Sequence, residues 1–221
     1  MQEIQSTDHA FSAICSDGSV VSWGHPNFGG DSSTVQKRLV QVRCIQASNR
    51  AFAAICGNGE VVTWGDRFWG GDSSHVQHQL INVQHIQATR CSFAAILADG
   101  TVVSWGAGEY AGDSSSVQER LRQVKHIQAS DHAFAAILED KTVVSWGDPH
   151  CGGNSNLVQD QLIDVLAIQS SEHAFAAIKA DGSVVTWGHP EFGGGPFSIC
   201  CEDVKTQCFW TNAVHTYRNN I

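Results

Sequence analysis

Basic residues are scarce in this chain. Thirteen Lys and Arg stand against 22 Asp and Glu among 221 residues, a formal net charge of −9. A protein that grips nucleic acid through its phosphates needs clustered Lys and Arg, so direct phosphate binding is excluded. The same deficit excludes a surface built for anionic membranes. Also missing is any apolar run of about 18 residues, the length a bilayer-spanning helix requires. The opening stretch Met1-Gln2-Glu3-Ile4-Gln5 has neither the basic start nor the apolar stretch of a secretory signal. No CxxC pair occurs among the eight cysteines. Neither a disulfide framework nor zinc-finger spacing is therefore expected, and an intracellular setting, cytoplasmic or nuclear, is. The Gly-Gly pairs are not followed by Lys-Ser or Lys-Thr, so there is no phosphate loop.

What the chain does have is a repeat. Trp23, Trp64, Trp105, Trp146 and Trp187 are each 41 residues apart, and Phe11, Phe52, Phe93, Phe134 and Phe175 keep the same spacing. Ile4, Ile45, Ile86, Ile127 and Ile168 do so too. A period of this size signals a solenoid, a propeller or an array. Hydrophobic residues make up 42% of the chain, enough for a substantial core. The repeat occupies residues 1–195, and a non-repeating tail follows at 196–221.

One unit can be read locally. Ile45-Gln46-Ala47-Ser48 predicts a first strand, Ala51-Phe52-Ala53-Ala54-Ile55 a second and Val61-Val62-Thr63-Trp64 a third. Asn58-Gly59 between the last two is a hairpin signal, because the tight turn needs positive φ. Asp17-Gly18, Asp99-Gly100 and Asp181-Gly182 repeat it, whereas the fourth copy has Asp140-Lys141. Runs such as Ala-Phe-Ala-Ala-Ile are apolar on both faces, so these strands should lie between layers. Ser33-Thr34-Val35-Gln36 and its equivalents have the spacing of a capping box, and Val35, Leu39 and Val42 that of a helical stripe. One or two turns of helix are predicted there, with a short edge strand as the alternative. The expected fold is mostly β: five blade-like units of three strands plus a short capped helix, forming a partial or open propeller.

The unit Asp131-His132-Ala133-Phe134-Ala135-Ala136-Ile137, a turn, and Val143-Val144-Ser145-Trp146-Gly147 resembles the regulator-of-chromosome-condensation repeat. The resemblance rests on a His, an apolar strand, a turn and a strand ending in Trp-Gly, and it covers residues 4 to about 194. It implies blades of a seven-bladed propeller, used as docking modules in large HECT-type ubiquitin ligases and in the exchange factor of the Ran GTPase. Here His9, His132 and His173 keep the His, while Arg50 and Cys91 replace it. Five copies fall short of seven blades, so exposed ends and self-association through open blade edges are expected.

Catalytic and metal chemistry find no support. The Asp-Ser-Ser triplets at Asp31, Asp72 and Asp113 recur in three copies, whereas a catalytic residue is needed once. They read as helix caps. Cys15 and Cys56 share a repeat position with Leu97, Leu138 and Lys179, which reads as core. His75, His78 and His85 cluster without a Cys or acid at ligand spacing. No enzyme activity, cofactor or metal is expected.

The expected function is a protein-binding scaffold. The alternatives are a guanine-nucleotide exchange factor and a carbohydrate-binding propeller. Loops after each Trp-Gly vary most between copies, and loops on a rigid frame usually carry recognition. The candidate partner-binding residues there are Asn27, Arg67, Phe68, Glu109, Asp148, His150 and Glu191. Arg67 and Phe68 are the preferred anchors, since Arg and aromatics dominate interface hot spots. The fourth loop position, mostly aromatic, is expected to pack on the neighbouring blade.

Overall fold

The computed structural model describes residues 1–195 and the backbone of Ser198 and Ile199. The expected role of residues 196–221 as a separate tail lies, apart from that dipeptide, outside the described residues.

Five three-stranded antiparallel units follow one another. The first comprises β1 (Glu3–Ser6), β2 (Ala10–Ile14) and β3 (Val20–Gly24). The second comprises β4 (Cys44–Ala47), β5 (Ala51–Ile55) and β6 (Val61–Gly65). The third holds β7 (Val83–Ala88), β8 (Ser92–Leu97) and β9 (Val102–Gly106). The fourth holds β10 (Val124–Ala129), β11 (Ala133–Leu138) and β12 (Val143–Gly147). The fifth holds β13 (Val165–Ser170), β14 (Ala174–Lys179) and β15 (Val184–Gly188), with β16 (Ser198–Ile199) paired on its edge. Within each unit the order is sequential. The first strands β1, β4, β7, β10 and β13 lie side by side, each against the next.

The register explains the repeating aromatics. Phe52 pairs with Trp64 across the β5–β6 hairpin, and their rings stack 5.3 Å apart. Phe93 with Trp105 and Phe175 with Trp187 do the same at the same distance. Strand residues alternate between faces. Phe52, Ala54, Val62 and Trp64 face the preceding blade, while Ala51, Ala53, Ile55 and Val61 face the following one. Both faces of β5 are buried, which is why its sequence shows no polar alternation. Four such apolar layers lie between successive blades.

The connecting segments are neither α-helices nor edge strands. Residues 33–38 and 74–79 form turns; Ser115–Arg120 and Gln159–Gln161 are 3-10 helices. About six residues are too few to repay helix nucleation. The predicted capping box does not form. Instead Asp31 Oδ1 accepts from the Ser33 amide at 2.9 Å, and this bond holds the Asp31 carboxyl below its usual range. Ser32 Oγ donates to Gln36 Oε1 at 3.0 Å, and Gln36 Nε2 donates to the Val20 carbonyl at 3.0 Å. The Gln thus ties the connector to the third strand of its own blade, and Gln77, Gln118 and Gln159 repeat the bond. Leu39, Leu80, Leu121 and Leu162 carry the apolar stripe into the interblade layers.

Each connector ends on a non-glycine residue with positive φ: Gln41, Asn82, Gln123 and Asp164. These press against the hairpin turns, where a Cβ at Gly18 would meet Gln41 Cα at 2.9 Å. Lys141 takes the glycine place in the fourth copy at φ 65°.

Among the described residues, no blade covers the outer face of blade 1. Trp23 is 41% exposed, whereas Trp105, in the same sequence context, is fully buried. Ile4, Phe11 and Val21 are exposed beside Trp23. The propeller is open, as the copy number predicts.

Candidate functional site

The loops after Trp-Gly are tight turns with a shared construction. Pro26–Phe28, Arg67–Trp69, Pro149–Cys151 and Pro190–Phe192 are single 3-10 turns. The first loop position caps each one: His25 Nδ1 accepts from the Asn27 amide, and Asp66 Oδ1 accepts from the Phe68 amide. Asp148 and His189 repeat the cap to His150 and Glu191. The first position is therefore not free to vary with a partner, and the Asp148 carboxylate is committed to the turn. Ala107 offers no acceptor and Ala111 replaces the left-handed Gly that closes the other turns, and in this copy alone the turn widens to a π-helical turn, Gly108–Gly112.

The next two positions point outward. Asn27, Arg67, Phe68, His150 and Glu191 are exposed, Phe68 at 71%. The Arg67 guanidinium lies 5.3 Å from the Phe68 ring centroid, so the two anchors form one contiguous unit. Glu109 lies within the π-helical turn. These residues come from equivalent turns of successive blades, so they line one rim. Between the first two blades a groove at this rim is lined by Pro26, Asn27, Asp31, Trp64 and Asp66.

The fourth position packs across the blade boundary, as expected from its aromatic character. The Arg50 guanidinium of blade 2 lies 5.0 Å from the Phe28 ring and 4.5 Å from Trp69. Tyr110 packs 4.4 Å from His132 of the following blade, and Cys151 Sγ lies 3.0 Å from His173 Nδ1. Sequence reasoning missed what lies beneath. Trp64 Nε1 donates to the Gly29 carbonyl of the preceding blade at 3.0 Å, and Trp105, Trp146 and Trp187 bond Gly70, Ala111 and Gly152 likewise. Each post-Trp-Gly turn is thus clamped by the next blade's tryptophan.

Two Cys–His contacts invite a catalytic reading, the second being Cys91 Sγ at 3.5 Å from His132 Nδ1. The thiols do not fit it. Burial, reinforced by Asp148 and Asp131, pushes Cys151 up to about 11, and burial raises Cys91 as well. Such thiols stay protonated at neutral pH and are poor nucleophiles. Asp131, Glu172 and His173 hold potential metal-ligand atoms within 4.8 Å of one another. Arg90 Nη1, 3.3 Å from Asp131 Oδ2, supplies positive charge there from the protein itself. Cys56 is buried in the core as expected; Cys15 is half-buried. Among the described residues, no helix is long and apolar enough to cross a membrane, which does not bear on β-barrels.

No protein-family model matches the chain, and no curated protein matches it. Solved structures do. Yeast RCC1 (Prp20), solved with Kap60 bound, aligns at 19% identity and TM-score 0.56, covering 84% of this chain and 55% of that one. Prp20p from Saccharomyces cerevisiae, described with its binding to Gsp1p and histones, gives 19% identity and TM-score 0.57 over 84% and 56%. Human WBSCR16 gives 15% identity and TM-score 0.56 over 89% and 66%. The chain therefore spans 55–66% of the length of these relatives in fold. At such identities the likeness carries the architecture alone, and that architecture is an RCC1-type propeller, represented in this chain by five consecutive blades.

Proposed function

We propose that the chain is a non-catalytic protein-recognition module that binds its partner along the rim of post-Trp-Gly turns. One observation carries this reading. Arg67 and Phe68 stand exposed together on a turn whose ends are fixed, by the Asp66 cap on one side and the Trp105–Gly70 bond on the other. An Arg–aromatic pair held on a rigid frame loses little entropy on binding and is the typical composition of an interface hot spot. The solved Prp20 structures, named with Kap60, Gsp1p and histones, are propellers that bind proteins and so support the class of partner. Within that class, we assign the chain the recognition role in a ubiquitin-ligase-type system, in the cytoplasm or nucleus.

The test is affinity purification with the wild-type chain and with the double variant Arg67→Ala, Phe68→Ala, followed by affinity measurement on the recovered partner. Loss of at least about 2 kcal/mol with an unchanged thermal midpoint supports the rim. Unchanged affinity in a folded double variant removes the site from these turns. A recovered GTPase that binds best without nucleotide would make the chain an exchange factor, and glycan-array binding would make it a lectin.

A further inference from the structure

Every blade boundary in this chain is made the same way, so each end of the array displays half of a known interface. The backbone bonds show the direction. The Asp8 amide donates to the Asn49 carbonyl, Asn49 to Arg90, Arg90 to Asp131 and Asp131 to Glu172, all at 2.8–3.0 Å. Among the described residues the series stops there: the Glu172 amide has no successor, and the Asp8 carbonyl no predecessor. The tryptophan series is cut at the same two places. Trp64, Trp105, Trp146 and Trp187 each reach back to a carbonyl of the previous blade. Among the described residues Trp23 has no such carbonyl to reach, and the equivalent carbonyl, that of Gly193, receives no tryptophan.

The apolar surfaces match these open bonds. A Cβ on Gly29 or Gly152 would stand 2.6 Å from the Phe52 or Phe175 ring of the next blade. At Gly193, in the same left-handed conformation at φ 93°, the same Cβ would meet none of the described residues within 4 Å. On the opposite end, Phe11 and Trp23 stack 5.6 Å apart as their buried counterparts do, yet both are exposed. The strand face and the turn carbonyl that blade 1 lacks are present on blade 5, where Ala174, Ile178 and Val184 repeat Ala10, Ile14 and Val20; the connector leucine of the other boundaries has no counterpart among the described residues.

We propose that the chain self-associates head to tail: the Ile4, Phe11, Val21 and Trp23 face of one copy seats on the His189–Gly194 turn of a second copy. Trp23 Nε1 then donates to the Gly193 carbonyl, and the Glu172 amide to the Asp8 carbonyl. The contact is heterologous, so unlike a two-fold interface it uses a different surface on each copy. That asymmetry makes it separable by mutation.

Two variants break opposite halves. Trp23→Ser removes the ring from an already exposed face. Gly193→Asn adds a Cβ where the fold has space, and Asn tolerates the left-handed region best after Gly. The wild-type chain should show a mass in light scattering that rises with concentration. Each variant alone should remain monomeric, with a far-ultraviolet spectrum like wild type. An equimolar mixture of the two, each carrying a different fluorophore, should form a heterodimer, because the intact half of each fits the other. A wild-type chain that is monomeric at every concentration overturns the proposal, as it would if the open arc leaves no room for a second copy. Assembly of Gly193→Asn alone, or a mixture without heterodimer, also overturns it in favour of packing between two Trp23 faces. The seat includes the fifth rim turn, but both variants leave Arg67 and Phe68 intact and no readout involves a foreign partner, so failure here is distinguishable from failure of the rim proposal.

Discussion

Trp64 lies 35 residues after Gly29 in sequence, yet its indole nitrogen donates to the Gly29 carbonyl at 3.0 Å across a blade boundary. The same separation recurs at Trp105, Trp146 and Trp187. Interblade packing and the geometry of the rim turns are therefore linked. The residue that fills the apolar layer also fixes the neighbouring turn, so loss of one tryptophan loosens a rim loop one blade away.

Truncating equivalent tryptophans should therefore have unequal cost. Trp105→Ala should destabilise by about 3–5 kcal/mol, since it empties a fully buried site and breaks the bond to Gly70. Trp23→Ala should cost no more than about 1 kcal/mol at dilutions that keep the chain monomeric. Urea unfolding of the two variants checks this. Equal losses would mean that blade 1 is covered in solution.

Lys141 sits in the left-handed region at φ 65°, where the other four copies place Gly. A side chain there costs about 1–2 kcal/mol. Lys141→Gly should raise the thermal midpoint, because the rest of the turn, including the Asp140–Thr142 bonds, is unchanged. A lower midpoint would show that the Lys side chain contributes more than its backbone strain.

The turn caps can be moved between blades. Asp148→Ala removes the acceptor for the His150 amide and should cost about 0.5–2 kcal/mol. Ala107→Asp supplies an acceptor where none exists and should stabilise by a similar or smaller amount; because Ala111 stands where the other turns carry a left-handed Gly, conversion to the 3-10 form should need Ala111→Gly as well. Calorimetry of both single variants measures the energies, and a structure of the double variant tests the conversion.

His132 should make the protein acid-sensitive. Burial holds its folded pKa below the ordinary value of 6.5, so the unfolded chain binds the proton more tightly. Stability is then complete above about pH 6.5 and falls as pH drops below it. The Asp31 and Asp72 carboxylates, held low by the Ser33 and Ser74 amides, titrate only below their ordinary 3.8, outside that window. Since Cys91 occupies the equivalent place in another blade, His132→Cys should fold and show a shallower decline of thermal midpoint between about pH 6.5 and 5. An unchanged slope would assign the sensitivity elsewhere.

The blades themselves were written locally. Hairpin turns at Asn58-Gly59 and its equivalents, strands apolar on both faces and the period of 41 residues all depend on neighbours a few residues apart, and each appears in the structure where the pattern placed it. The connectors were harder to read. Their Ser-to-Gln spacing is that of a capping box, but the Gln36 side chain goes to Val20, 16 residues earlier in the chain, a partner that helix periodicity does not reveal. Positive φ at Gln41 and Gln123 was hidden for a related reason: contact with the adjacent hairpin holds it, against the preference of Gln. Likewise the variability of the first loop position suggested freedom, although His and Asp can both accept the same backbone bond. Burial shows most clearly what only the tertiary structure decides. Trp23 and Trp105 share the sequence Val-Val-Ser-Trp-Gly, yet one is exposed and the other is not. The sequence by itself determines that each unit becomes a blade with an aromatic face; whether that face is core or open surface depends on the presence of a preceding blade to cover it.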